Sequence, residues 1–322
     1  MNMLTLIVPL KNRSAYTYRL MSHLNAIEFP YPVLLADGGN DTGLQNHLND
    51  TSNYPNISYE YCRYPYDDSI TTYHKKMANV VDKISTPFSV TIDNDDFVVT
   101  EGLNKAIEFL QNNPTYSSAR GALTGFETNH YPNQHERKGN MYDLYPEDIT
   151  GATSLERVIM QSNNWHGNWH PVLRTNHFIA TNKIIAEVNP SNFRFTEQLM
   201  GFLNILWGNG NRDTYDFVLH QHNSPRIEGC ANDFPNQNTW IQNDSWSCNF
   251  ASMTDGIAIG ISICDKVSID SAREKFRQCY EQMYSKRVPN NIDLLKDKIQ
   301  KSTHFYRNLN PLKHSIENIV ND

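Results

Sequence analysis

Phe88-Ser89-Val90-Thr91-Ile92-Asp93-Asn94-Asp95-Asp96 joins an apolar, β-prone run to three carboxylates. The first five residues read as a buried strand, with the acidic run at its carboxyl end. Carboxylates gathered there are costly to keep charged and unpaired. A divalent cation offsets that cost, and hard cations such as Mg²⁺ take oxygen ligands and bridge to substrate phosphates. The run therefore points to a metal-assisted site for a phosphorylated substrate, the plainer alternative being a solvated acidic turn. An EF-hand fits poorly. Counting from Asp93, the positions that need Gly and Glu hold Val98 and Asn104.

Upstream, Leu4 to Val8 is a continuous apolar run, as a strand buried on both faces requires. A polar turn from Pro9 to Ser14 follows. Apolar positions at Tyr16, Leu20, Leu24 and Ile27 then predict a helix. Tyr31 to Ala36 reads as a second strand ending in Asp37-Gly38-Gly39, residues suited to turns. A helix near Leu44 to Leu48, a strand from Ile57 to Cys62 and a helix from Ser69 to Ile84 complete the approach to the acidic strand, and Thr100 opens another helix. Such alternation predicts an α/β fold with a mostly parallel sheet flanked by helices. Ligands in such sheets bind beyond the carboxyl ends of the strands. Lys11-Asn12-Arg13, Asp37-Gly38-Gly39 and Asp93 to Asp96 all fall there. The middle, from about Ser117 to Phe195, reads as irregular. Thr196 to Trp207 has helical spacing, Tyr215 to Leu219 reads as a late strand, and the chain turns helical again after Asp265.

Size and charge bound the function. The 322 residues suffice for one large domain with a C-terminal extension, and a net charge of −7 disfavours capture of nucleic acid. From Lys266 onward the chain carries 11 basic and 7 acidic residues. That basic tail could touch an anionic membrane surface or an acidic partner, or simply form solvated helix faces. The five cysteines, Cys62, Cys230, Cys248, Cys264 and Cys279, have no CxxC spacing, which suits a reducing compartment. Met3 to Leu10 is short and interrupted by Pro9, so it reads as neither a signal peptide nor a membrane span.

The order IVPLKNR, VLLADGGND, SVTIDNDDF, FTEQL and FVLHQHNS, over roughly residues 4 to 225, resembles the inverting GT-A glycosyltransferases of family 2. That resemblance implies a GT-A, Rossmann-like catalytic domain over 1–225, with the acceptor side at about 117–225. A connecting segment over 226–264 and a helical extension over 265–322 would complete the chain. It also implies a single displacement at the anomeric carbon of a nucleotide sugar. Asp93-x-Asp95 takes the place of the family's DXD motif. Asp95, with Asp93 and His222, would hold Mn²⁺ or Mg²⁺, unless Asp93 bonds the donor ribose instead. Pro9, Lys11, Arg13, Asp37 and Asn94 would line the donor site, with Lys75 or Lys76 on phosphate. An Asp37 bonded to a base NH would favour a UDP-sugar. Glu197 stands where the family places its general base, but the usual Glu-Asp pair reads Glu197-Gln198 here. Trp165, His166, Trp169, His170 and Arg174 would meet the acceptor, since aromatic faces and polar groups suit sugars. Gly167 and Pro171 oppose a zinc-binding helix at the two histidines.

By the same resemblance the enzyme would be cytoplasmic and build a surface polysaccharide or glycolipid on a saccharide or lipid-linked saccharide. The tail would then be free to dock on the inner leaflet or form an oligomer contact. Two rivals remain at this level. A nucleotidyltransferase also needs a carboxylate-bound cation, but Pro9 to Arg13 lacks its glycines. A carbohydrate-binding protein could keep the fold without turnover.

Overall fold

A computed structural model of the chain describes residues 2–128, 135–140, 147–163, 170–221, 223–224 and 240–321. The alternation of the first third is realised as β1 (Leu4–Leu10), α1 (Ser14–Ala26), β2 (Val33–Asp37), α2 (Thr42–Asn49), β3 (Tyr59–Arg63), α3 (Ile70–Val80), β4 (Phe88–Thr91), the short β5 (Phe97–Val98) and α4 (Thr100–Asn112). Start signals are local. Asp41 caps α2 by accepting from the backbone N–H groups of Gly43 and Leu44, and Ser69 caps α3 through Thr72. Strands β1 and β2 are buried along almost their whole length, which explains their unbroken apolar runs.

The remainder is more regular than its sequence suggests. It forms β6 (Tyr116–Thr128), β7 (His135–Asn140), α5 (Ser154–Asn163), β8 (Val172–Arg174), α6 (Thr175–Val188), α7 (Phe193–Leu206) and β9 (Asn209–Gln221). A C-terminal set follows, α8 (Trp246–Cys264), α9 (Ile269–Ser285), α10 (Ile292–Ser302) and α11 (Asn310–Asn321). The sheet runs β3-β2-β1-β4-β8-β6-β9-β5, with β7 on β6. Pairings among β1 to β4 are parallel, as the alternation predicts. The second half mixes antiparallel pairs with the parallel β6–β9 pair. Strand order reverses about β1, which has β2 on one side and β4 on the other. A crevice opens there beyond the carboxyl ends.

One core lies between the sheet and its helices, and another fills the space among α5 to α11. Helix α8 is the centre of the second. An added Cβ at Gly256 would sit 2.9 Å from Leu199, and one at Gly260 would sit 2.7 Å from Leu206. Those glycines let α8 lie directly against α7. Many of the tail's cations are spent locally. Arg277, Lys301 and Lys313 pair with Glu274, Asp297 and Glu317 on their own helices. No described helix is long and apolar enough to cross a membrane.

Candidate active site

The acidic run leaves β4 at the strand-order reversal and is gripped from α1. Asn12 and Arg13 both adopt left-handed backbone, with φ of 56° and 57°, and so turn the chain sharply from β1 into α1. That turn delivers the Arg13 guanidinium to 2.8 Å from the Asp95 carboxylate. Arg19 donates to the Asp95 carbonyl at 2.7 Å, and Asn94 donates to Thr17 Oγ1 at 3.0 Å. Ser224 donates to the same Asp95 carboxylate. Burial alone would raise Asp95, but Ser224 and Arg13 hold it below the usual carboxylate range.

Asp96 is fully buried and tied to the end of β9. It accepts from the Gln221 backbone N–H at 3.0 Å and lies 3.0 Å from His220 Nδ1. Burial works against a charged His220, yet Asp96, backed by Asp93 and Asp95, raises its pKa above the ordinary imidazole value. His170 approaches the same Asp96 carboxylate oxygen from left-handed backbone, φ 58°. Its Nδ1 donates to the Thr91 carbonyl at 2.7 Å, because a carbonyl can only accept. Its other ring nitrogen, Nε2, lies 3.8 Å from Asp96. Asp93, Asp96 and His170 each offer one ligand atom, all within 4.8 Å of one another. That donor set fits a divalent ion. Two carboxylates and an imidazole fixed by a backbone carbonyl suit Mn²⁺ better than Mg²⁺, which prefers oxygen alone.

Asp93 also opens onto a cavity of about 280 Å³ whose lining includes Thr91, His170, Glu197 and His220. Met77, Leu173, Phe178 and Met200 make its apolar wall. Asp93 is exposed to that space but enclosed by protein elsewhere. The enclosure raises its pKa, with His170 opposing the shift and Asp96 and Asp95 adding to it. Glu197, on the second turn of α7, is half-buried. Burial first, and the Asp93 charge second, push it from 4.5 up to about 7, with Arg194 pulling it back slightly. A carboxyl poised near neutrality can take a proton at working pH.

No family model and no curated protein matches this chain. Solved structures do. The chain is similar to S. aureus TarS, with 15% identity and a TM-score of 0.53, the match covering 98% of this chain and 53% of that one. TarS 1–349 in complex with UDP-GlcNAc gives 15% and 0.54, and its complex with UDP gives 14% and 0.52; each match covers 99% of this chain and 88% of the other. The chain shares its fold with these TarS structures. The chain spans about half the length of the longer TarS structure.

Within that fold, the residues singled out in the sequence fall into three groups. Asp93, Glu197 and His170 meet at the cavity. Asp95, Asn94 and Arg13 form the adjoining clasp, so among the described residues it is Asp96, not Asp95, that completes the three-ligand cluster. The D-x-D spacing favoured Asp95, and only the β9 contacts bring out Asp96. Pro9 and Lys11 lie at the same edge, where Lys11 stands 5.3 Å from the ring of Tyr66. Tyr66, absent from the sequence reading, is 43% exposed and offers a flat apolar face there.

Other residues are engaged in the scaffold. Asp37 is buried and accepts from Gly39 N–H at 2.6 Å, Tyr61 OH at 2.6 Å and Arg63 at 2.7 Å, which locks the end of β2. Lys76 is buried, donating to the Leu10 carbonyl at 2.9 Å and pairing with Asp67, whereas Lys75 is exposed. Arg174 donates to the carbonyls of Leu110, Asn113 and Tyr116, closing the end of α4, and does not line the cavity. Trp165, His166, Trp169 and His222 lie outside the described residues.

Proposed function

We propose that this chain is an inverting glycosyltransferase that moves a sugar from a UDP-linked donor to an acceptor hydroxyl. The observation that carries the reading is Glu197 beside Asp93, two carboxyl groups with raised pKa values sharing one cavity at the strand-order reversal. The TarS complexes with UDP and UDP-GlcNAc support a nucleotide-sugar donor. Glu197 takes the proton of the acceptor hydroxyl as its oxygen bonds the anomeric carbon. The bond from that carbon to the diphosphate oxygen breaks, and its electron pair leaves with UDP. Attack opposite the leaving group inverts the centre. We assign the nucleotide end of the donor to the edge that carries Lys11 and Tyr66, and Arg13 holds the acidic loop in place. A cation held by Asp93, Asp96 and His170 would stabilise negative charge on the departing diphosphate.

Release of UDP from UDP-GlcNAc with Mn²⁺ tests the activity. Pyrophosphate release from a nucleoside triphosphate would favour a nucleotidyltransferase instead. Calorimetry tests the ligand set separately. Asp93→Asn and His170→Gln are each expected to weaken Mn²⁺ binding at least ~10-fold, the scale on which even outer partners of metal ligands act. If Asp95→Ala abolishes binding while those two leave it intact, the ion belongs on Asp95. For the setting we favour surface polysaccharide or glycolipid synthesis, which rests on the sequence resemblance alone.

A further inference from the structure

Helix α7 is held on both sides of Glu197. The preceding residue, Thr196, lies with its Oγ1 3.1 Å from His74 Nε2 on α3. His74 is buried, and its Nδ1 lies 3.0 Å from Asn189 Oδ1. The Asn189 amide is oriented by its own donation to Thr71 Oγ1 at 3.0 Å. An amide oxygen only accepts, so Nδ1 carries the proton and Nε2 accepts from the Thr196 hydroxyl, which it shares with the Asn192 carbonyl 3.3 Å away. Burial lowers the His74 pKa, which keeps the ring neutral and this polarity fixed. The following residue, Gln198, accepts from the Tyr280 hydroxyl of α9 at 3.1 Å. Tyr280 is itself immobilised, fully buried and stacked on Tyr284 with ring centroids 4.8 Å apart.

Successive helical residues point about 100° apart, since a turn takes 3.6 residues. Anchors on the residues just before and just after Glu197 therefore lie on either side of the direction in which its carboxyl points. Together they fix the rotation of α7 about its own axis. His74 comes from the parallel half of the fold and Tyr280 from the C-terminal helices, so both parts of the molecule set one angle. We infer that His74 and Tyr280 are positioning residues, whose hydrogen bonds to Thr196 and Gln198 hold Glu197 at the reacting end of the cavity. The inference rests on the reading of Glu197 as general base. It gives the C-terminal helices a part in the reaction, and it gives Gln198 a reason to be an amide with an accepting oxygen.

Tyr280→Phe removes the hydroxyl and keeps the ring stack. With UDP-GlcNAc and Mn²⁺, its kcat for UDP release is expected to fall about 10-fold, a modest share of what the displacement of a reacting group costs. KM should stay unchanged, and calorimetry should still find one UDP per chain, which excludes a partly unfolded sample. The same substitution placed on Glu197→Gln is expected to leave the residual rate unchanged, because no base remains to misplace. His74→Gln, acting on the other anchor, should reproduce the kcat loss. An unaltered kcat in Tyr280→Phe overturns the proposal, and so does an equal loss with and without Glu197. If Glu197→Gln turns over like the parent chain, the base assignment itself has failed, and that result is distinct from the other two.

Discussion

Glu197→Gln is expected to lower kcat by roughly 10³-fold, within the range that a positioned general base contributes, while making the protein more stable at pH 8. Both effects come from one cause. The carboxyl is pushed from 4.5 to about 7 chiefly by burial and then by the charge of Asp93. The folded chain therefore resists ionising Glu197, and the unfolded chain does not. That cost is absent below the unfolded value, grows between the two and is complete above about pH 7. A shift of this size corresponds to about 3 kcal/mol. Glutamine keeps the shape without the charge, so its advantage in melting temperature should grow from near zero at pH 4.5 to several degrees at pH 8, measured in EDTA. If the proposed transfer runs through Glu197, the rate should rise with pH as its carboxyl loses a proton, and Mn²⁺ on Asp93 would draw that rise below the metal-free value of about 7 by cancelling the Asp93 charge. A stabilised variant that keeps most of its activity would remove Glu197 from the chemistry.

The first third of the fold could be read because each element declares itself locally. Strands β1 and β2 are buried along their length and show as apolar runs, and α2 and α3 begin at the capping residues Asp41 and Ser69. The middle could not. Strand β6 carries Ser117, Ser118, Arg120 and Thr124 as buried polar residues, so no alternation marks it as a strand. Helix α8 fails for the opposite reason, since nearly every one of its residues is buried and no polar stripe gives it a period.

The site divides in the same way. Asp93 and Glu197 stood out as carboxylates at element ends. Which of three neighbouring aspartates turns toward His170 depends on contacts with Gln221 and His220, more than a hundred residues later in the chain. His170 was grouped with the tryptophans beside it. Its orientation beside Asp96 depends on the Thr91 carbonyl, 79 residues away in sequence. Tyr66 carried no sequence signal beyond being one aromatic among several.

Arg273→Ala is expected to cost about 3–5 kcal/mol, the range for stripping one partner from a buried ion pair. Asp255 has no exposed surface and accepts from two guanidinium nitrogens of Arg273, at 2.8 and 2.9 Å. Burial raises the pKa of Asp255 while Arg273 pulls it down, so losing the arginine leaves the carboxylate without its main counterion. Arg273 also donates to the Arg307 carbonyl at 2.6 Å, and Arg307 in turn donates to the carbonyls of Glu187 and Val188 at the end of α6. Arg273 and Arg307 together thus connect α8, α9 and the chain leading to α11 with the end of α6. The denaturation midpoint should fall sharply. Adding Asp255→Leu to an Arg273→Met variant should recover much of the loss, because a matched apolar pair leaves no charge to desolvate. The folded fraction of Arg273→Ala should keep its kcat, since Tyr280 and Gln198 are untouched. That separates what secures the C-terminal helices from what aims Glu197. A loss below about 1 kcal/mol, the level of an exposed pair, would mean that water reaches Asp255 and that the helices are held by their apolar contacts alone.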